Sequence, residues 1–308
     1  VMSRYFLLLP NLRIQNANAM SSPYTIGFPA MTSWLGAVHA LQRQLNKRDY
    51  PDVRLSRLAV ICHQLDVQRY RYKNKYEEYY LLKLSSNPLI CKSANKYSKP
   101  DPFPEARCHV EVSLLIELEE DGANQLFRDK KEKEFYIEVS KLVYGMKWAS
   151  GDILSIQADN INMWLLDDED DEEGLNEIRR ALWPGHILIE KQSLIRKAQQ
   201  EENVDALQAL LDYLKITEES NEKGDIVWKK RSPGWLVPIA VGFQGITALA
   251  EEPVANQRDK STSHRFAESV VTLGEFIMPH RFNNIDEILW HYEIDLDRNL
   301  YLCKNEKL

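Results

Sequence analysis

The stretch Leu12 to Leu41, LRIQNANAMSSPYTIGFPAMTSWLGAVHAL, separates the first apolar segment of the chain from its first amphipathic helix. Gln15, Asn16, Asn18, Ser21 and Ser22, followed by Pro23, Gly27 and Pro29, favour turns and local side-chain-to-backbone bonds, so a loop is expected here rather than a strand or helix. Its two ends run into apolar segments, Tyr5 to Leu9 before it and Trp34 to Leu45 after it. A polar loop pinned in this way suits a ligand site. The same composition also fits a long connection whose amides bond their own backbone.

Working outward, Tyr5 to Leu9 is apolar on consecutive residues, which predicts a central strand covered on both faces and ended by Pro10. Trp34, Leu35, Val38, Leu41 and Leu45 recur at helical spacing from an expected Thr32 cap. Leu58 to Cys62 reads as a second buried strand. Cys108, Val110, Val112, Leu114, Ile116 and Leu118 alternate with His109, Glu111, Ser113 and Glu117, predicting a strand with one wetter face that pairs with the second. Phe135, Val139, Leu142, Val143 and Met146 mark another amphipathic helix, and Ile161 to Leu166 and His186 to Ile189 are further strand candidates. Strand, helix, strand, strand, helix, strand is the order of a ferredoxin-like (RRM-like) α+β core.

With 308 residues, 44% of them apolar, the chain has ample material for a core. A formal charge of −7 argues against a protein that coats nucleic acid by bulk electrostatics, although it leaves room for a local site. Cys62, Cys91, Cys108 and Cys303 have no paired spacing, which fits a reducing compartment and buried small hydrophobes. No run of 18 apolar residues and no leader pattern is present, so a soluble cytoplasmic protein without membrane contact is expected. The seven histidines join in no metal-ligand spacing, and no phosphate loop, nucleophile elbow or dinucleotide fingerprint occurs, so neither cofactor nor metal is expected. His109 with Glu111, or His39, is what remains for acid–base work.

Two segments interrupt the core. Residues 69–107 hold nine basic against four acidic residues, with Arg69, Arg71, Lys73, Lys75, Lys92, Lys96 and Arg107 interleaved among six tyrosines. Cations for phosphates and rings for bases suit single-stranded nucleic acid, and the same pattern fits a solvated hairpin with cross-strand tyrosines. Asp167 to Glu173 is wholly acidic and reads as a solvated loop. Beyond it, Val204, Leu207, Leu210, Leu211 and Leu214 predict one helix with an acidic outer face suited to a basic protein neighbour. Trp235 to Ile239 reads as a strand whose Pro238 marks an edge or a bulge. Residues 257–265 form a polar basic loop in which Arg258, His264 and Arg265 are candidates for phosphate or terminal-base contacts, or simply a surface turn. Ile285 to Tyr292 and Leu300 to Cys303 read as a short helix and a short strand closing the core.

The pattern LxIQNANAxSSPxTxGFP, followed by Val38-His39-Ala40-Leu41, resembles the family of second subunits of the Csy complex, Cas-five-type RAMP proteins of type I-F CRISPR surveillance complexes. Arg107 to Leu115, Gly234 to Ile239, Arg265-Phe266, Leu273-Gly274-Glu275, Pro279-His280-Arg281 and Leu289-Trp290 fit the same family in order, so the resemblance spans nearly the whole chain. It implies a ferredoxin-like core at 2–68 and 108–190, a thumb-like insertion at 69–107 that crosses guide RNA, an acidic helical segment at 191–224, and a C-terminal β-rich extension at 225–308 completing the core. It further implies a binding protein without turnover, because another subunit of that complex cleaves the RNA. Gln15, Asn16, Asn18, Ser21 and Ser22 would then read bases of the 5′ handle of a CRISPR guide RNA, alongside the large subunit and a backbone subunit, with target DNA met only through the complex. Its rivals are a metal-independent RAMP-type endoribonuclease and a protein-only scaffold subunit.

Overall fold

Strand β1 (Arg4–Asn18) is longer than the composition of its second half suggests. Pro10 does not end it, and Gln15, Asn16 and Asn18 lie within it, so the expected loop is corrected to a strand through Asn18. Two register shifts, at Leu9/Leu12 and Ile14/Ala17, absorb the turn-forming residues. Asn11 (φ 46°) and Asn16 (φ 57°) take left-handed backbone there, which asparagine tolerates. The bulges keep Leu12, Ile14 and Ala17 buried. Helix α1 (Met31–Asn46) follows, and Ala30 rather than Thr32 occupies its cap position, with no side-chain cap. The seven buried residues of α1, among them Trp34, Leu35, Val38 and Leu41, bind the helix to the sheet.

Next come β2 (Leu55–Val67), the hairpin β3 (Arg69–Lys73) and β4 (Glu78–Leu82), and β5 (Arg107–Leu118). Helices α2 (Glu120–Arg128) and α3 (Glu132–Gly145) lead to β6 (Lys147–Trp148), β7 (Gly151–Ser155) and β8 (Asn162–Leu166). The acidic run ends by starting a helix, α4 (Glu172–Leu182), whose Asp171 accepts from the Gly174 amide and whose first-turn glutamates suit the helix dipole. After β9 (His186–Glu190), the one expected helix is two, α5 (Gln192–Glu202) and α6 (Ala206–Leu214), broken at Asn203 (φ 53°). The outer face of α6 is apolar as well as acidic, since Leu207 and Leu211 are exposed. The hairpin β10 (Ile216–Ser220) and β11 (Ile226–Lys230) precedes β12 (Trp235–Gly245), β13 (Ala267–Ile277), β14 (His291–Asp295) and β15 (Leu300–Lys304). The short helix expected near Ile285 is a single 3-10 turn, and β14 follows it. This computed structural model describes residues 3–82, 84–85, 90–93, 96–98, 103–128, 131–167, 171–220, 225–250, 254–255, 257 and 259–305.

Among the described residues, one antiparallel sheet of 11 strands dominates a mixed α+β chain, in the order β6-β7-β1-β5-β2-β9-β13-β12-β15-β14, with β8 also beside β1. Pro238 pairs with β13 on one side, and β15 meets β12 only at Gly242–Gln244, so the missing N–H of Pro238 faces an open edge. One face of the sheet, with Leu9, Leu12, Val60, Val112 and Leu114, packs on α1 and α3. The opposite face is covered only in part: Phe6, Leu8, Ala59, Ile61 and Leu115 meet α4 and the segment Phe282–Leu289. This second layer dries only the far half of the wetter face expected on β5: Ser113 and Glu117 are buried, while His109 and Glu111 stay partly exposed. Cys62, Cys108 and Cys303 are buried thiols, each pushed up to about 12 by burial.

Two histidines sit in this packing. His63 has Nε2 2.7 Å from Ser113 Oγ. Burial lowers its pKa, opposed by the Glu111 carboxylate and helped by His186. Burial and Arg57 lower that of His291, against Glu293, with Lys304 adding to the lowering. The unfolded chain therefore takes up these protons at higher pH than the native one, so stability is lost as pH falls below about 6.5. A urea midpoint that drops from pH 7 to pH 5 is expected, with a shallower drop in a His63→Gln/His291→Gln variant. Superimposable pH profiles would refute the assignment.

Candidate nucleic-acid interface

Where the second layer stops, the outer face of β1, β5 and β2 stays open. The register sets Arg13 opposite Glu111, Glu111 opposite Gln64, and His109 opposite Asp66. Since paired residues share a face, these side chains stand together, lining with Gln15 and Leu154 a cleft of about 330 Å³. The bulge turns Asn16 out beside them. The Asn16 backbone N–H lies 3.4 Å from His109 Nδ1, its amide oxygen accepts from Gln68 Nε2 at 2.6 Å, and its carbonyl accepts from Arg107 Nη1 at 3.2 Å. Gln68 Nε2 is also 3.2 Å from His109 Nε2. A neutral imidazole accepts at one nitrogen only, so His109 cannot serve both donors.

The rest of the opening stretch is turned on itself. The Asn18 side chain brackets Met20, donating to its carbonyl and accepting from its amide, both at 3.1 Å. The hydroxyls of Ser21 and Ser22 meet Thr25 Oγ1 at 2.9 and 2.7 Å, and Ser22, which is buried, also accepts from the Tyr24 amide. These groups close the small hairpin of Met20–Ser22 and Thr25–Ile26. Its tip carries Tyr24, 81% exposed.

From Gln68 the chain runs straight into β3, so the base of the basic hairpin adjoins the cluster. Every residue of β3 is exposed. The Arg69 guanidinium stacks 4.1 Å over Tyr80, Tyr72 lies 4.9 Å from Tyr79, and Asn74 caps the turn through the Tyr76 and Glu77 amides. Arg71 donates to Glu78 at 2.7 Å and Lys73 stands 3.4 Å from the same carboxylate, so one acid faces two cations. Lys75 lies 5.8 Å over Tyr76. Lys96 is exposed, whereas the side chain of Lys92 lies outside the described residues. Arg107 is also bonded to Glu105.

The third group is elsewhere. Arg258 lies outside the described residues. His264 pairs through its backbone with Ala250 and sets its ring edge-on to Phe266, while Arg265 bonds Asn299. Ile277, Ile187 and Ile61 are in register across three strands, so the Ala267 end of β13 extends past the Leu55 end of β2, away from Val67 and the hairpin. The fold thus joins Gln15, Asn16, Arg69 and Arg107 and keeps His264 and Arg265 apart from them. Gln68, Gln64 and Arg13 were not legible as site residues, since nothing local marks them. His39 is exposed on α1, across the sheet from His109. No cluster of three metal-ligating side chains occurs among the described residues, and no described helix is long and apolar enough to cross a membrane.

Comparison with known proteins agrees with the resemblance. The family model described as CRISPR-associated protein (Cas_Csy2) matches residues 7–303. The chain is 33% identical, over 317 residues, to CRISPR-associated protein Csy2 of Pseudomonas aeruginosa (strain UCBPP-PA14), with 96% of this chain and 93% of that protein covered. A match that takes in both the open sheet face and the strands beyond it assigns the whole chain at once: it belongs to the Csy2 family of CRISPR-associated proteins.

Proposed function

We propose that the chain is a non-catalytic RNA-binding subunit of a type I-F CRISPR Csy complex that grips the single-stranded 5′ handle of the guide RNA. The observation that carries this reading is the meeting of an amide-rich open sheet face with a cationic, tyrosine-bearing hairpin at Asn16, Gln68, Arg107 and His109. Base edges would meet the sheet, where Asp66 and Glu111 disfavour phosphate, and phosphates would meet the hairpin. The core reads as ferredoxin-like, supported by the antiparallel order β7-β1-β5-β2 with α1 and α3 on one face. On this reading the 69–107 insertion is the thumb, and 225–308 completes the core by extending its sheet. The partners are the large subunit and the first backbone subunit, with target DNA reached through the complex, in the cytoplasm.

Incubation of the chain with labelled repeat RNA should give a retarded complex and no cut product; a cut product lost in His109→Ala would favour the endoribonuclease, and no shift at all the protein-only scaffold. Within the site, Asn16→Ala should cost about 1–3 kcal/mol of affinity for the native handle, and much less for a scrambled handle. Asn18→Ala should weaken both RNAs alike and lower thermal stability, because its amide holds Met20. Equal losses on both RNAs for Asn16→Ala would make that residue a brace too.

A further inference from the structure

A second cleft lies on the same side of the sheet, about 460 Å³ in volume, within the range of about 300–1,000 Å³ usual for ligand pockets. It opens where β7 and β8 part along β1, at the 3-10 turn of Ala158–Asn160. It is lined by Trp183 and Trp164 together with Asn11, Gln157, Asp159 and Asn160. Trp183 is 54% exposed and held by a tilted ring contact with His280 at 6.3 Å. This exposed indole shares the cleft lining with amide side chains.

The polar groups are already oriented. The Asn160 side-chain amide donates to Gln157 Oε1 at 3.0 Å, and the turn is closed by backbone bonds from Asn160 to Gln157 and from Ile161 to Ala158. That leaves the Asn160 side-chain carbonyl and the Asp159 carboxylate as acceptors beside the Gln157 amide NH2, an arrangement that suits a ligand edge presenting two donors next to an acceptor. Exposed Arg180, one turn before Trp183, supplies a cation nearby. Asn11 ties the cleft to the open face, because its N–H is accepted by Ser113 Oγ at 3.0 Å and Ser113 shares a strand face with Glu111 and His109. From Asn16 to Asn11 along β1 is roughly 17 Å, at about 3.4 Å per residue.

We propose that this cleft takes one nucleobase of single-stranded RNA, stacked on Trp183 with its Watson–Crick edge toward Asp159 and Asn160, and that it prefers guanine, whose N1–H and N2–H groups match two acceptors. The proposal rests on the RNA-binding reading above and extends it to residues outside the cluster around Asn16. A ring stacked on an indole is sequence-tolerant, so the acceptors and not the ring confer the preference.

The test is fluorescence polarisation with short single-stranded RNAs that differ by guanine or adenine at each position, using the 308-residue chain. Trp183→Ala should weaken binding about five- to 150-fold, the span for removing one base–aromatic stack, and Trp183→Phe should restore most of it. Asp159→Asn should abolish the guanine-over-adenine difference at one position. Unaltered binding by Trp183→Ala, with Arg69→Ala still weakened, overturns the cleft but spares the RNA reading. No binding by the unsubstituted chain overturns both. If Trp183→Ala loses a protein partner and keeps full RNA affinity, the cleft is a protein contact and the proposal fails.

Discussion

Replacing Glu117 by alanine should destabilise the protein by about 3–5 kcal/mol, because it leaves two guanidinium groups facing a single remaining carboxylate in a largely buried site. Glu117 Oε1 accepts from Arg4 Nε and from Arg57 Nη2, both at 2.9 Å, and its other oxygen accepts from Arg57 Nε. Asp286, on the 3-10 turn Ile285–Glu287, accepts from the same two arginines at 2.8 and 2.7 Å. The four groups form a closed ring between β1, β5, β2 and the C-terminal segment. Burial alone would lower the Arg57 pKa, yet the bonds and charges of Glu117 and Asp286 raise it, so its cation is held firmly. Chemical denaturation measures the loss, and Asp152→Ala, which breaks an exposed pair with Lys147, serves as the control. That control should cost under about 1 kcal/mol. If Glu117→Ala costs no more than Asp152→Ala, the ring does not hold the C-terminal segment to the sheet.

The second large effect is expected on RNA. Substituting Arg69, Arg71, Lys73 and Lys75 together by alanine should weaken binding steeply at low salt and flatten the dependence of log affinity on log salt. Each cation that no longer neutralises a phosphate of a single strand changes that slope by about 0.7. Glu78 already offsets part of Arg71 and Lys73, so the sum should fall nearer 2 units than the roughly 2.8 of four fully engaged cations. The hairpin should survive, because Tyr72 and Tyr79 still pack and Asn74 still caps the turn. An unchanged slope with intact folding would mean that these cations are only a solvated face. Native and scrambled handles should lose affinity alike, in contrast with Asn16→Ala.

The amino-acid sequence by itself determined the elements whose environment is uniform along their length. Tyr5 to Leu9 is apolar on both faces because both are covered, and α1 and the buried side of α3 are legible because one stripe of each helix meets a sheet. Residue order across the chain carried the family. What the tertiary structure alone decided is non-local. Asparagines at 11 and 16 favour turns taken singly, but pairing to β5 on one side and to β7 and β8 on the other holds them as bulges and lets β1 run on. Ser113 and Glu117 look exposed by their alternation, yet Ser113 is held by Asn11 and His63, and Arg4, Arg57 and the distant Asp286 close over Glu117. The site follows the same rule: Asn16, Gln68, Arg107 and His109 come from three separate stretches and meet because β1, β5 and β2 pair in register, while the register of β2, β9 and β13 carries His264 and Arg265 to the far end. Periodicity reports what lies beside each element, and the register that brings distant elements together is set by backbone hydrogen bonding and packing between them, which no local pattern encodes.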